Sequence, residues 1–373
     1  MRPSLRIGSV AGIPILVHFS WLFLFGVVYV TLLTQFQEPR LFPPTTGPVR
    51  LAVAAVTTVL FFGCILAHEL AHSLVALRYG LPVHSITLFV FGGVSQIVRE
   101  APSPVKEFFM ALSGPATSAA LGALFLALQD GEDLLGEHFA AVAGLLMYYN
   151  FALAAFNMLP GFPLDGGRVL RAILWSATGD YHRATGVALR GGEGMAVVFV
   201  AVGVGLGLGL QVFPALWLAL VGWFLGLTVR ASRHQFRLHQ VLKGLFTSHL
   251  MEKDPPAVEP SLSLAKAVEE HLLPLRRRAL LVLEDGRPVG VLGVREVRRV
   301  PRPRWADTPV REAMTPLASI PSLSAAEEAL RAVELLEGAP DSLLVVLHEG
   351  KTVGVVTQEA VWEAFRLREQ LGV

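Results

Sequence analysis

Cysteine is almost missing from this sequence: Cys64 is the single thiol in 373 residues. One thiol excludes an intrachain disulfide framework, and its setting in an apolar run reads as a packed side chain. Charge is scarce too, at 16% of residues against about a quarter in an average soluble domain. Apolar residues make up 53%, so the chain leans toward a membrane. There is no long basic tract and no aromatic-interleaved basic patch, and the net charge is only +1. A nucleic-acid partner therefore has nothing to bind. Asparagine occurs only at Asn150 and Asn157, a depletion of thermolabile amides of the kind found in heat-adapted proteins.

What charge there is lies unevenly. Up to about residue 230 long apolar runs dominate, and beyond it Arg and Glu are dense. A span needs about 20 mostly apolar residues, and six stretches qualify, near 13–34, 50–77, 107–128, 139–159, 195–211 and 213–229. The first follows a basic start, but it is long for a signal h-region and lacks a small-residue cleavage site, so it reads as a retained span. One set of connections carries Arg2, Arg6, Arg78, Arg99, Lys106, Arg168, Arg171, Arg183, Arg190, Arg230, Arg233 and Arg237. The other carries Arg40 and the acidic segment 129–138. By the positive-inside rule this describes a multi-pass cell (inner) membrane protein with both termini in the cytoplasm.

Within the second stretch, residues 65–77 read ILAHELAHSLVAL. His68 and His72 are one helical turn apart, so both imidazoles can reach one ion. Glu69 sits beside the first, where it can polarise a metal-bound water. This is the HExxH pattern. Three ionisable groups inside hydrocarbon are costly unless paired or hydrated, and coordination would satisfy both rings. Zinc in a catalytic site takes three protein ligands and leaves one position open. The best third candidate is Asp165, in FNMLPGFPLDGGRVLRAIL (156–174). There Pro160 and Pro163 interrupt helix, and Gly166 and Gly167 suggest a tight turn. Read alone, PGFPLDGG fits an ordinary cytosolic turn with a capping Asp better than a metal site.

Together, His68-Glu69-Leu70-Ala71-His72 and Asn157-Met158-Leu159-Pro160…Leu164-Asp165-Gly166 resemble the site-2 protease family of intramembrane zinc metalloproteases. The resemblance implies one zinc per chain on His68, His72 and Asp165, with Glu69 as general base. It implies for Asn157 a part in holding substrate or transition state. SGPATS (113–118) is similar to a family segment, although close helix packing through small residues explains it as well. The implied substrate is a transmembrane protein segment, for instance of an anti-sigma factor or other signalling regulator. Residues 80–100, rich in β-branched and aromatic residues, would then form a membrane-associated β-hairpin whose edge pairs with unwound substrate. Gly92-Gly93 would supply a turn or bulge. His84 reads as an exposed loop residue; His18 has no identifiable partner.

The C-terminal part repeats itself. Residues 251–268 match 314–330, and EDGRPVGVLG (284–293) matches HEGKTVGVVT (348–357) with an offset of 64. This looks like a tandem pair of cystathionine-β-synthase (CBS) domains, implying a regulatory or homodimerising module and a cleft for an adenine nucleotide. Neither copy of the ribose-binding signature is complete. Gly293 replaces the hydroxyl residue in the first, and Ala360 the acid in the second, which keeps Thr357. Arg276, Arg277 and Arg278 read as a solvated face.

The expected fold is a polytopic α-helical membrane domain (1–230) with about six spans and a short β-hairpin, a linker (231–247), and an α/β CBS pair (248–304 and 305–373). The expected activity is zinc-dependent intramembrane endopeptidase. Its rivals are a CBS-regulated metal transporter and an inactive membrane scaffold. A transporter would spread ligands along a pathway, whereas these converge at one depth beside a glutamate.

Overall fold

The computed structural model describes residues 4–38, 42–89, 92–97, 101–130, 136–209, 212, 215–275, 277–336, 338–339, 343–349 and 351–371. Arg2, Arg40, Arg99, Arg276, half of the acidic segment 129–138 and residues 90–91 and 98–100 of the 80–100 segment lie outside these. The chain forms two compact units, Met1–Arg233 and His234–Val373.

The first unit begins with β structure. Strand β1 (Ser4–Val10) turns at Ala11-Gly12, both at positive φ, into β2 (Ile13–His18). Residues 13–18 were expected to open a membrane span. They form a strand instead, because Pro14 disfavours a helix interior while Ile13, Ile15 and Val17 suit a half-buried strand. Helix α1 (Phe19–Gln35) starts only after His18, whose Nδ1 accepts from the Ser20 N–H at 3.2 Å. His18 is thus a helix cap. Strand β2 runs parallel to β3 (Val83–Phe89), which pairs antiparallel with β4 (Gly92–Ile97). The sheet order is β1-β2-β3-β4, leaving β4 at an edge.

The helices follow: α2 (Gly47–Arg78), α3 (Pro104–Gln129), α4 (Glu137–Asn157), α5 (Asp165–Thr178), α6 (Tyr181–Val204) with a π turn over Gly205–Gly209, and α7 (Leu216–Leu242). Among the described residues four helices are long and apolar enough to cross a membrane: Gly47–Arg78, Pro104–Gln129, Glu137–Asn157 and Tyr181–Leu208. Many of their exposed side chains are apolar, among them Val59, Leu124 and Val197, as surfaces facing lipid tails should be. Where α6 meets α7 a Cβ at Gly203 would lie 2.3 Å from the Ala219 nitrogen, so a small residue permits that approach. Cys64 is buried, as expected of a packed thiol.

In the second unit the 64-residue repeat is written into the backbone. Its sheets are β5-β6-β7-β8 (Ala257–Val258, Ala279–Glu284, Arg287–Gly293, Thr315–Pro316) and β11-β10-β9 (Lys351–Thr357, Leu343–His348, Ser322–Ser324). The β6–β7 ladder shifts register between Val282 and Leu283, and β10–β11 between Val346 and Leu347. Asp285 and Glu349 both take positive φ at matching turns. Leu281, Val291, Ile320, Leu343, Val345 and Val355 form a buried cluster joining the sheets. Residues 231–242, expected within a linker, continue α7, and Leu242 is buried beside Leu250 and Leu344.

Candidate metal centre

Helix α2 carries His68 and His72 on one face, 4% and 8% exposed. Each ring is held from behind by α3. His72 Nδ1 donates to the Met110 carbonyl at 2.7 Å, and His68 Nδ1 is hydrogen-bonded to Ser118 Oγ at 2.9 Å. A carbonyl only accepts, so the His72 Nδ1 carries a proton and its neutral ring keeps the lone pair on Nε2. The two Nε2 atoms face each other at 3.3 Å. Asp165 Oδ2 completes the cluster, 3.2 Å from His68 Nε2 and 3.1 Å from His72 Nε2. All three donors lie within 4.8 Å of one another. Where His68 Nδ1 likewise donates to Ser118 Oγ, two Nε2 lone pairs and a carboxylate oxygen converge on one point. A metal cation among them would satisfy all three at once, and an N,N,O donor set suits zinc.

Gly114 bounds this point on the α3 side. A Cβ there would fall 2.2 Å from His72 Nε2 and 2.6 Å from His68 Nε2. Zinc–nitrogen bonds are about 2.0–2.1 Å long, so a side chain at 114 would intrude where an ion has to sit. The residues present fit the metal. The sequence explained SGPATS equally well by helix packing, yet two of its members, Gly114 and Ser118, border the centre. Their spacing of four on one helix face was the available signal.

Asp165 arrives through the 158–164 loop and is the first residue of α5, where a carboxylate also suits the helix dipole. Gly166 and Gly167 do not form the expected tight turn; they lie inside α5. Their role is closeness. A Cβ at Gly166 would lie 2.3 Å from the Met158 carbonyl oxygen, and one at Gly167 2.4 Å from the Gly161 carbonyl carbon. The Phe162 N–H donates to the Ala188 carbonyl, tying the loop to α6. At Gly192 a Cβ would sit 1.9 Å from the Phe162 carbonyl oxygen. Backbone meets backbone there, so Gly192→Ala should cost about 1–3 kcal/mol by overpacking. A lowered melting temperature checks this; an unchanged one would contradict so close a contact.

Glu69, half-buried, lies against β4. A Cβ at Gly93 would come 2.5 Å from Glu69 Cγ. Gly93 pairs with Leu88 in the ladder, so it lets a strand lie over the glutamate. The sequence offered no sign of that contact. Asn157, the last residue of α4, turns its amide back to the Leu153 carbonyl at 3.0 Å, so the structure does not join it to the cluster. His84 is exposed.

The sequence pattern of Peptidase family M50 matches residues 56–131 and 130–201, and that of the CBS domain matches residues 248–302. A candidate zinc metalloprotease of Synechocystis is 32% identical over 97% of this chain and 95% of its own length. A zinc metalloprotease of Methanocaldococcus jannaschii is 26% identical over 99% of this chain and 98% of its own length. Among solved structures, a site-2 protease from M. jannaschii aligns with a TM-score of 0.43 and 28% identity, over 61% of this chain and 94% of that one.

Proposed function

Because this chain belongs to peptidase family M50, the site-2 proteases, we propose that His68, His72 and Asp165 hold its zinc and that Glu69 is its general base. The protein is an intramembrane zinc metalloprotease that also carries a CBS domain. The observation that carries the site assignment is the convergence of both Nε2 atoms and the Asp165 carboxylate in front of Gly114.

Bound zinc supplies Lewis acidity, which acidifies water and polarises a peptide carbonyl. The chain's own groups do the rest. Met110 and Ser118 fix the imidazole orientations from behind, as outer partners of metal ligands generally do. Glu69 takes the proton of the attacking water and passes it to the leaving amine nitrogen. Asn157 helps hold the substrate or its transition state.

The substrate is a membrane-spanning protein segment, whose carbonyls are locked in helical hydrogen bonds until it unwinds. An extended segment finds a partner in β4, an edge strand among the described residues, a form of strand addition, and Gly93 brings that strand against Glu69. On this reading β3 and β4 form a membrane-associated hairpin. The chain crosses the cell membrane about six times, with both termini cytoplasmic. Residues 1–230 are the protease domain and 248–304 and 305–373 a CBS pair that regulates or dimerises it. Thr357 supports an adenine nucleotide there and Ala360 opposes it, so regulation or dimerisation without nucleotide is the better reading. A signalling regulator such as an anti-sigma factor suits the substrate class.

The test is Asp165→Ala. Zinc should fall from about one per chain to near none, and cleavage of a designed membrane-spanning substrate should stop. Undiminished zinc would mean that the third ligand lies elsewhere.

A further inference from the structure

Among the described residues of the first unit, two opposite charges are buried apart from the metal donors. Glu107, near the start of α3, is 1% exposed, and Arg171, in α5, is 7% exposed. Its sequence position places Arg171 in a cytosolic connection, and the structure buries the side chain there. Arg171 Nε donates to Glu107 Oε1 at 2.7 Å, and Nη2 donates to the same oxygen. Nη1 donates to the Tyr181 hydroxyl at 2.6 Å. The guanidinium carbon lies 4.9 Å from the Phe162 ring and 4.8 Å from the Tyr181 ring. One side chain therefore ties together α3, the loop that delivers Asp165, α5 itself and the start of α6.

Stability alone is a poor reason for such a pair. Desolvating two charges costs several kcal/mol, and well-packed apolar replacements often do as well or better. What the pair does hold is register. On α3, Glu107 is followed at helical spacing by Met110, Gly114 and Ser118. Met110 accepts from His72, Gly114 borders both Nε2 atoms, and Ser118 bonds His68. The residue that grips α5 thus shares a stripe with those that set the histidines. On the other side, Arg171 packs on Phe162, three residues before Asp165.

We propose that the Glu107–Arg171 pair is a registration clamp whose two members are positioning residues, holding Asp165 at ligand distance from His68 and His72. This rests on the reading of those three residues as zinc ligands. Coordination tolerates errors of only about 0.2 Å. A small slide of α5 along α3 would therefore weaken the metal without unfolding the unit.

The experiment uses full-length protein in detergent, with zinc affinity by competition titration, the visible spectrum of the cobalt(II)-substituted protein, and the melting temperature. The main variant is Glu107→Met with Arg171→Met, which removes both members of the pair together. It should melt close to wild type yet bind zinc about 10–100-fold more weakly. Its cobalt ligand-field bands should shift and weaken relative to wild type. A folded double variant with wild-type zinc affinity and spectrum would overturn the clamp. If the double variant does not fold, Arg171→Lys carries the test, since it keeps the charge but loses the planar contacts to Phe162 and Tyr181. Weaker zinc and a shifted spectrum support the clamp, and wild-type values overturn it. If Asp165→Ala itself has the wild-type cobalt spectrum, the ligand assignment fails, and the clamp with it, whatever the clamp variants show.

Discussion

Glu69→Gln should abolish cleavage while about one zinc per chain stays bound. The amide keeps the size and polarity of the carboxylate but cannot take up the proton of the attacking water. General-base groups contribute about 10²–10⁴-fold to rate, and the loss should lie in that range or beyond it. His68, His72 and Asp165 are untouched, so metal content should not move. The packing of Glu69 on Gly93 sharpens the test, because a purely structural glutamate would tolerate an isosteric amide. Near-normal turnover by Glu69→Gln, on the same designed membrane-spanning substrate, would remove Glu69 from the chemistry. Loss of zinc along with activity would instead make it part of the metal's support.

Gly114→Ala should empty the metal centre and leave the fold intact. In the interior of a helix Ala is favoured over Gly by roughly 0.5–1 kcal/mol, so α3 itself gains. The added methyl, however, points at both Nε2 atoms, at 2.2 and 2.6 Å. A ring held only by its own χ angles could swing aside. These two are tethered at Nδ1, to Met110 and to Ser118, and retreat would break those bonds. The expected result is native helicity by circular dichroism with zinc near zero and no cleavage. Wild-type zinc in this variant would show that the rings yield, and that Gly114 serves helix packing alone.

Much of the centre was legible before the fold was known, because helical spacing is local. His68 and His72 four residues apart can only share a face, and an ionisable triplet in an apolar run needs a partner. Asp165 could be nominated as that partner, but its arrival depends on a loop packed glycine against glycine on α6, which no local pattern reports. Gly166, Gly167 and Gly93 were read as turn or bulge residues, since positive φ is the commonest reason for glycine. All three are used instead for close approach. The strand at 13–18 was hidden for a related reason. In a membrane protein apolar content marks lipid-facing and buried residues alike, so only Pro14 and the β-branched alternation set it apart from the span behind it. Arg171 shows the converse: a basic residue near a span end reads as cytosolic, and only the partner on α3 shows it to be buried. The CBS repeat was the easiest part to read, because a duplicated segment announces itself by its offset, which recurs in the bulges at Val282 and Val346.

The most direct measurement is cleavage of a membrane-spanning substrate by purified protein stripped of zinc with a chelator and then resupplied. Cleavage should cease on stripping and return in proportion as zinc is restored, reaching its full value at about one ion per chain. Undiminished cleavage by the metal-free protein would contradict a zinc-dependent mechanism at His68, His72 and Asp165.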